Sequence, residues 1–251
     1  MAGSLPCRAE RCELLESIPL PRGAQRVKTS DPFARFLRSL PLRPTGSPVL
    51  LFTGAHKNNQ RAHLRVIDMD VGNQDLQQCA DALMRLRAEF LYRSGQAHRI
   101  AFTMTNGQRV EFSRWQSGER PVLRGQRFQF LRRAAQDSSY RNLRAYLNFV
   151  YTYAGTASLE RELIRRKGEW QIGDVLIQGG FPGHAIMILD QARSDSDSYV
   201  LLGQSFMPAQ EFHVLHHPDH AGGWYSVRAL EQSGHARTPE WDFPHLNFQH
   251  W

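Results

Sequence analysis

The stretch Gly173-Asp-Val-Leu-Ile-Gln-Gly-Gly-Phe-Pro-Gly-His-Ala-Ile-Met-Ile-Leu-Asp190 decides how the chain is read. Two short β-rich runs, Asp174 to Gln178 and Ala185 to Asp190, flank a Gly-Gly-Phe-Pro-Gly turn. Short apolar runs bounded by glycine and proline read as strands. Tyr199 to Gly203 supplies a third strand and Phe212 to Leu215 a fourth. Gly173 to Gly203 is therefore predicted to form an antiparallel sheet, with His184 held at a strand entrance and facing a pocket.

Working outward, helices come before this sheet. Asn73 to Arg93 places Leu76, Cys79, Leu83, Leu86 and Phe90 at steps of three and four, one face of a helix. That face needs a cover, and Val175, Ile177, Ile186 and Ile188 offer the most apolar sheet surface. Ser139 to Arg166 predicts a long helical region that Gly155 can split in two. Asp31 can cap a short helix over Phe33 to Leu40, with Pro32 at its first position. Asn106-Gly107 marks a hairpin between Arg99–Thr105 and Arg109–Ser113. His63 to Asp70 reads as a strand, and the last thirty residues as an aromatic tail over the core. The expected fold is α+β, an antiparallel sheet packed against a long helix of the N-terminal half. Residues 1–16 read as an arm and 17–251 as a single domain.

Composition limits the function classes. Hydrophobic residues make up 41% of the 251, enough for a sizeable core, and no apolar run reaches the length of a membrane span. No charged segment followed by an apolar one opens the chain, so no secretory signal is read. The formal charge is +7, and every basic residue except Lys28, Lys57 and Lys167 is arginine. That bias suits coding composition better than a selected surface. The dense basic stretches Arg120–Arg133 and Arg161–Lys167 come with no recognised nucleic-acid module. Cys7, Cys12 and Cys79 contain no CxxC pair, and Cys7 can pair with Cys12 only in an oxidising compartment.

The candidate chemistry centres on His184. A glycine-rich turn that delivers a histidine to a strand entrance suits a general base; the plain alternative is a strand-capping histidine. Gln204, near the end of the next strand, can orient an imidazole as the third member of a triad does. Cys79 is the candidate nucleophile, although it lies on the apolar stripe of its helix, nearly two turns from Asn73, where a buried structural cysteine is the competing reading. Asn73, Gln77 or Gln78 can supply an oxyanion donor. Asn73, Gln78, Gly183, Gln210 and Glu211 make the candidate substrate-binding set. His184, His213, Asp190 and Glu211 lack the spacing of a metal motif, so neither metal nor cofactor is assigned.

The segments Asp75–Glu89, Tyr153-Ala-Gly-Thr156, Gly179-Gly-Phe-Pro-Gly-His-Ala185, Gln204-Ser-Phe-Met-Pro-Ala-Gln-Glu211 and Thr238-Pro-Glu-Trp241 resemble the bacterial "domain of unknown function 4846" family, from about Ser17 to Trp251. That resemblance implies no mechanism. Members often look like exported lipoproteins, which favours the cell envelope or periplasm, although Ser4-Leu-Pro-Cys7 makes a poor lipobox. A looser resemblance concerns the order Cys79, His184, Gln204. It is similar to papain-like cysteine hydrolases of the NlpC/P60 kind, which place cysteine on a helix, histidine on a strand and a polar residue on the next strand. Here the hairpin and second helix between Cys79 and His184 would be an insertion, and Cys79 lacks the usual Asp-Cys-Ser neighbourhood. The resemblance implies a papain-like hydrolase or transferase acting on an amide bond, with a peptide or cell-wall polymer as substrate. Its thiol would then titrate well below a free thiol, Cys79 and His184 being spatial neighbours. The rival is a non-catalytic binding domain, or a metal-dependent site, built on the same His184 pocket. Oligomeric state stays open.

Overall fold

The structure, a computed structural model, describes residues 13–251. A Cys7–Cys12 pairing falls outside them. In chain order, strand β1 (Gln25–Arg26), helix α1 (Pro32–Arg38) and strand β2 (His63–Val66) lead to the long helix α2 (Cys79–Arg93). Two hairpins come next, β3 (Ala101–Thr103) with β4 (Arg109–Glu111), and β5 (Glu119–Arg124) with β6 (Arg127–Arg132). The short helix α3 (Phe112–Gln116) joins them. The chain continues through α4 (Tyr140–Tyr153), α5 (Thr156–Glu162) and the strands β7 (Ile164–Arg165), β8 (Val175–Gln178), β9 (His184–Arg193), β10 (Ser198–Gln204), β11 (His213–Leu215) and β12 (Trp224–Ser226). Helix α6 (Val227–Ser233) and the strands β13 (Ala236–Arg237), β14 (Asp242–Phe243) and β15 (Phe248–His250) end the chain.

The α+β expectation holds. One nine-stranded sheet runs β2-β11-β10-β9-β8-β15-β7, with β1 along β9 and β12 along β10. All its pairings are antiparallel. Strand register sets where the histidine and its neighbours meet. His184 pairs with Gln178 across β8–β9, and Gln204 pairs with His213 across β10–β11. Between β9 and β10, Gly203 faces Met187, so Gln204 lies one step nearer the start of β9. Side chains alternate faces along a strand, which leaves His184 and Gln204 diagonal neighbours on one face at one sheet end.

Helix α2 packs on β9. Its Leu83 and Leu86 share one buried core with Val175, Ile177, Ile186 and Ile188, each at most 2% exposed. The register divides those four sheet residues: Val175 pairs with Met187 and Ile177 with Ala185, so they lie on the face opposite Ile186, Ile188 and His184, and the single apolar surface expected from the sequence is two. Helix α4 packs on α2 as well. The helix is consequently buried nearly all round, and even Arg85 is fully enclosed, held by Asp70, Gln77 and Glu89. Among the described residues no helix is long and apolar enough to cross a membrane.

Several sequence-based boundaries move. Helix α2 starts at Cys79 rather than Asn73. The preceding residues turn tightly, with Leu76 donating its N–H to Gln74 and Gln78 to Leu76, each at 2.8 Å. The Asp75 carboxylate meanwhile accepts the Ala209 N–H at 2.7 Å, which ties this turn to the β10–β11 connection. The predicted long helix splits at Ala154-Gly155, where the Gly155 N–H goes to the Ser158 hydroxyl at 3.0 Å. The aromatic tail contains a sheet strand, β15, with Phe248 facing Leu176. The basic Arg120–Arg133 stretch is the β5–β6 hairpin. Residues 14 to 18 join the fold: Leu15 is fully buried and donates its N–H to Leu40.

Candidate functional site

The turn between β8 and β9 is built so that only glycine fits at two points. Gly180 has φ +131°, a conformation other residues rarely adopt. A Cβ at Gly183 would lie 2.4 Å from the Thr156 Oγ1, 2.6 Å from the Gly180 carbonyl and 2.8 Å from the Gln178 carbonyl. Thr156, at the start of α5, donates its hydroxyl to the Gly180 carbonyl at 3.1 Å. The Tyr153–Thr156 segment therefore braces the turn that delivers His184.

His184 is fully buried rather than open to a pocket. Phe206, Trp241 and Phe243 stand around its ring at centroid distances of 4.8, 5.3 and 5.7 Å. They close the strand entrance where an open pocket was expected. Its Nε2 lies 2.8 Å from the Gln204 Oε1. Its Nδ1 has no hydrogen-bond partner. Burial lowers the His184 pKa to about 4, against the opposing pull of the Gln204 hydrogen bond. The imidazole is neutral at neutral pH.

Gln204 is the hub of a buried polar network. Its Nε2 donates to the Glu240 Oε2 at 2.9 Å and lies 3.4 Å from the His213 Nε2. The His213 Nδ1 lies 2.9 Å from the Glu211 carbonyl oxygen. Burial, reinforced by nearby Lys57, holds His213 well below the ordinary histidine range. Lys57, only 6% exposed, pairs with the same Glu240 oxygen. Sequence reasoning missed Lys57 and Glu240 as neighbours of the site. The available signal was Thr238-Pro-Glu-Trp241, whose turn is closed by the Thr238 and Trp241 backbones and the Thr238 hydroxyl.

Cys79 is the first residue of α2, not a mid-helix position, so its sulfur does meet the helix N-terminus. The backbone amides of Cys79, Ala80 and Ala185, the last being the neighbour of His184, pull the thiol pKa downward. The helix thus reaches the histidine strand by a backbone contact, while the thiol makes no hydrogen bond to the His184 Nδ1. The expected thiolate does not form in this state. Burial, then the Asp81 carboxyl, pushes the thiol up to about 12, and the residue is 7% exposed. The amide donors act in the favourable direction but lose to desolvation.

The remaining candidates separate. Gln77 is buried, gives its Oε1 to Arg85 at 2.8 Å and leaves its Nε2 without an acceptor. Gln78 caps α2, its N–H held by the Asp81 carboxylate at 3.0 Å and its Nε2 bound to Asp75 at 3.1 Å. Asn73 is exposed in the turn before the helix. Gln210 is buried with its backbone carbonyl oxygen taken by the Ser205 hydroxyl at 2.7 Å. Glu211 is committed to Arg43 at 2.6 Å and to the Leu50 N–H at 3.0 Å. Asp190 is bound by Arg26 and Arg38, each at 2.6 Å, so the four residues weighed as a metal set do not meet. Among the described residues no group of three or more His, Cys, Asp or Glu side chains can hold a metal ion.

Searches of curated proteins and of solved structures returned no match. One family model matches, over residues 14–250. That span takes in each of the segments that surround His184, and the chain therefore belongs to the family described as "Domain of unknown function (4846)".

Proposed function

We propose that this chain is a cysteine hydrolase or transferase acting on an amide bond, with the order of groups found in NlpC/P60-like enzymes. The observation that supports it is convergence at one sheet end. Cys79 opens α2, His184 opens β9 with a bare Nδ1, and Gln204 closes β10 on the His184 Nε2. In the proposed reaction the thiol gives its proton to the His184 Nδ1 and the sulfur adds to the carbonyl carbon. The Gln77 Nε2 is the donor we assign to the developing oxyanion. The amine leaves with the proton from His184, and water or a second amine, deprotonated by His184, releases the acyl group. A stem peptide of the cell wall, or a related peptide, is the proposed substrate class.

The closed state favours a second reading. A buried thiol at about 12 and a fully buried neutral histidine suit a non-catalytic binding domain equally well. The experiment that separates them incubates the chain with peptidoglycan stem peptides and follows release of free amine by mass spectrometry. Catalysis predicts an acyl adduct on Cys79 and loss of turnover of roughly a thousandfold or more in Cys79→Ala and in His184→Gln. Binding without any amine release or Cys79 adduct would overturn the hydrolase in favour of the binding domain.

A further inference from the structure

We infer that Glu240 is a positioning residue: backed by Lys57, it sets the side-chain amide of Gln204 so that its carbonyl faces His184, which makes His184 the Nε2–H tautomer and Nδ1 its bare nitrogen. The chemistry of the partners requires this orientation. A carboxylate only accepts, so the Gln204 atom 2.9 Å from the Glu240 Oε2 must be the NH2 group. Lys57 pairs with the same oxygen and supplies the counter-charge. His213 agrees with this orientation as a weaker, neutral acceptor at longer range. Its Nδ1 faces a backbone carbonyl at 2.9 Å and must donate, which leaves its Nε2 bare. That bare nitrogen, 3.4 Å from the Gln204 Nε2, can take the second amide hydrogen. With both N–H bonds of the amide pointing away, the Gln204 Oε1 is what meets His184 at 2.8 Å, and the His184 Nε2 must donate to it.

The Thr238-Pro-Glu-Trp241 turn gains a role from this. Its closed loop presents Glu240 to Gln204 and lays Trp241 against the His184 ring. The inference deepens the hydrolase reading, because only a bare Nδ1 can take the Cys79 proton, yet the tautomer can be measured whether or not an amide is cleaved.

The test is long-range proton–nitrogen NMR of the imidazole rings in the full chain at neutral pH, with the His184 signals assigned by their loss in His184→Gln. The wild-type protein is expected to show one His184 species, protonated at Nε2 and bare at Nδ1. Glu240→Ala and the isosteric Glu240→Gln remove the obligatory acceptor, and the ratio of Nε2–H to Nδ1–H should fall about tenfold, the effect of one lost charged hydrogen bond. A purely structural Glu240 would alter stability and leave the tautomer alone. An Nδ1–H His184 in the wild-type protein overturns the inference without any variant. So does an unchanged tautomer in a folded Glu240 variant. Absence of amine release from peptides would instead remove the hydrolase and leave this result standing.

Discussion

Replacing His184 with glutamine removes a group that titrates differently in the folded and unfolded chains. Burial lowers it from the ordinary 6.5 to about 4. Between those values the unfolded chain carries a proton that the folded chain does not, so ∂ΔG/∂pH is positive and stability falls as pH falls. The stabilising neutral state is fully present above about pH 6.5 and is lost progressively toward about pH 4. At about 1.36 kcal/mol per pH unit, His184 contributes about 3 kcal/mol of pH-dependent loss, about 2 kcal/mol of it by pH 5. His213, lowered by burial and Lys57, acts in the same direction. Asp81, raised to about 8 by burial, and Glu211, also raised by burial, act in the opposite one, because the folded chain keeps protons that the unfolded chain releases. Those groups are common to both proteins, so comparing wild type with His184→Gln isolates the histidine. The assay is urea unfolding of both proteins from about pH 7.5 to about pH 5. The free-energy difference between them should shift by about 2 kcal/mol toward the variant. A difference that stays flat across this window would refute a buried neutral imidazole at position 184.

In the folded chain at about pH 8, Cys79 should react with iodoacetamide roughly a thousandfold slower than in the denatured chain, since its thiol sits at about 12 against about 8.5 for a free one; mass mapping over time reads this, and equal rates would show an open site. Leu15→Ala should cost about 2–5 kcal/mol in chemical denaturation because that side chain is fully buried; a loss well under 1 kcal/mol would return the 14–18 segment to the arm. Gly183→Ala should cost about 1–3 kcal/mol, since two of the three atoms its Cβ would strike are backbone carbonyls that cannot swing away; an unchanged melting temperature would contradict the braced turn.

The elements legible in the sequence are those whose signals are local. Strands β8, β9 and β10 could be read because each is a short apolar run ended by glycine or serine, and their order brings His184 and Gln204 to one end without further information. The true start of α2 could not, because the apolar spacing continues back through Leu76 while the helix is stopped by Asp75 binding the Ala209 backbone, 134 positions away. β15 was hidden for a similar reason: Phe248 to His250 has no pattern of its own and becomes a strand only because β7 and β8 flank it. Burial of the whole site is also a long-range property. Nothing near His184 in sequence indicates that Trp241 and Phe243 will cover it, or that Lys57 and Glu240 will meet beneath Gln204.

That cover bears directly on the proposed chemistry. In the closed state the proton would have to move from a thiol at about 12 to an imidazole at about 4, a strongly uphill step. Between a free thiol and a free imidazole the same transfer costs about 3 kcal/mol. Both displacements have burial as their largest cause, so a single event that admits water or a polar carbonyl beside Cys79 and His184 lowers the first value and raises the second together. The backbone amides that already pull the thiol downward then act without the desolvation that now outweighs them. At neutral pH the Asp81 carboxyl, raised to about 8, is mostly protonated and adds little repulsion to that thiolate. In the structure as it stands the thiol makes no hydrogen bond to the His184 Nδ1, so the proposed proton transfer requires a rearrangement that brings the two together. In the proposed hydrolase, burial of Cys79 protects the thiol from oxidation and alkylation between turnovers, and exposing His184 requires the Phe206–Trp241 side of its enclosure to yield.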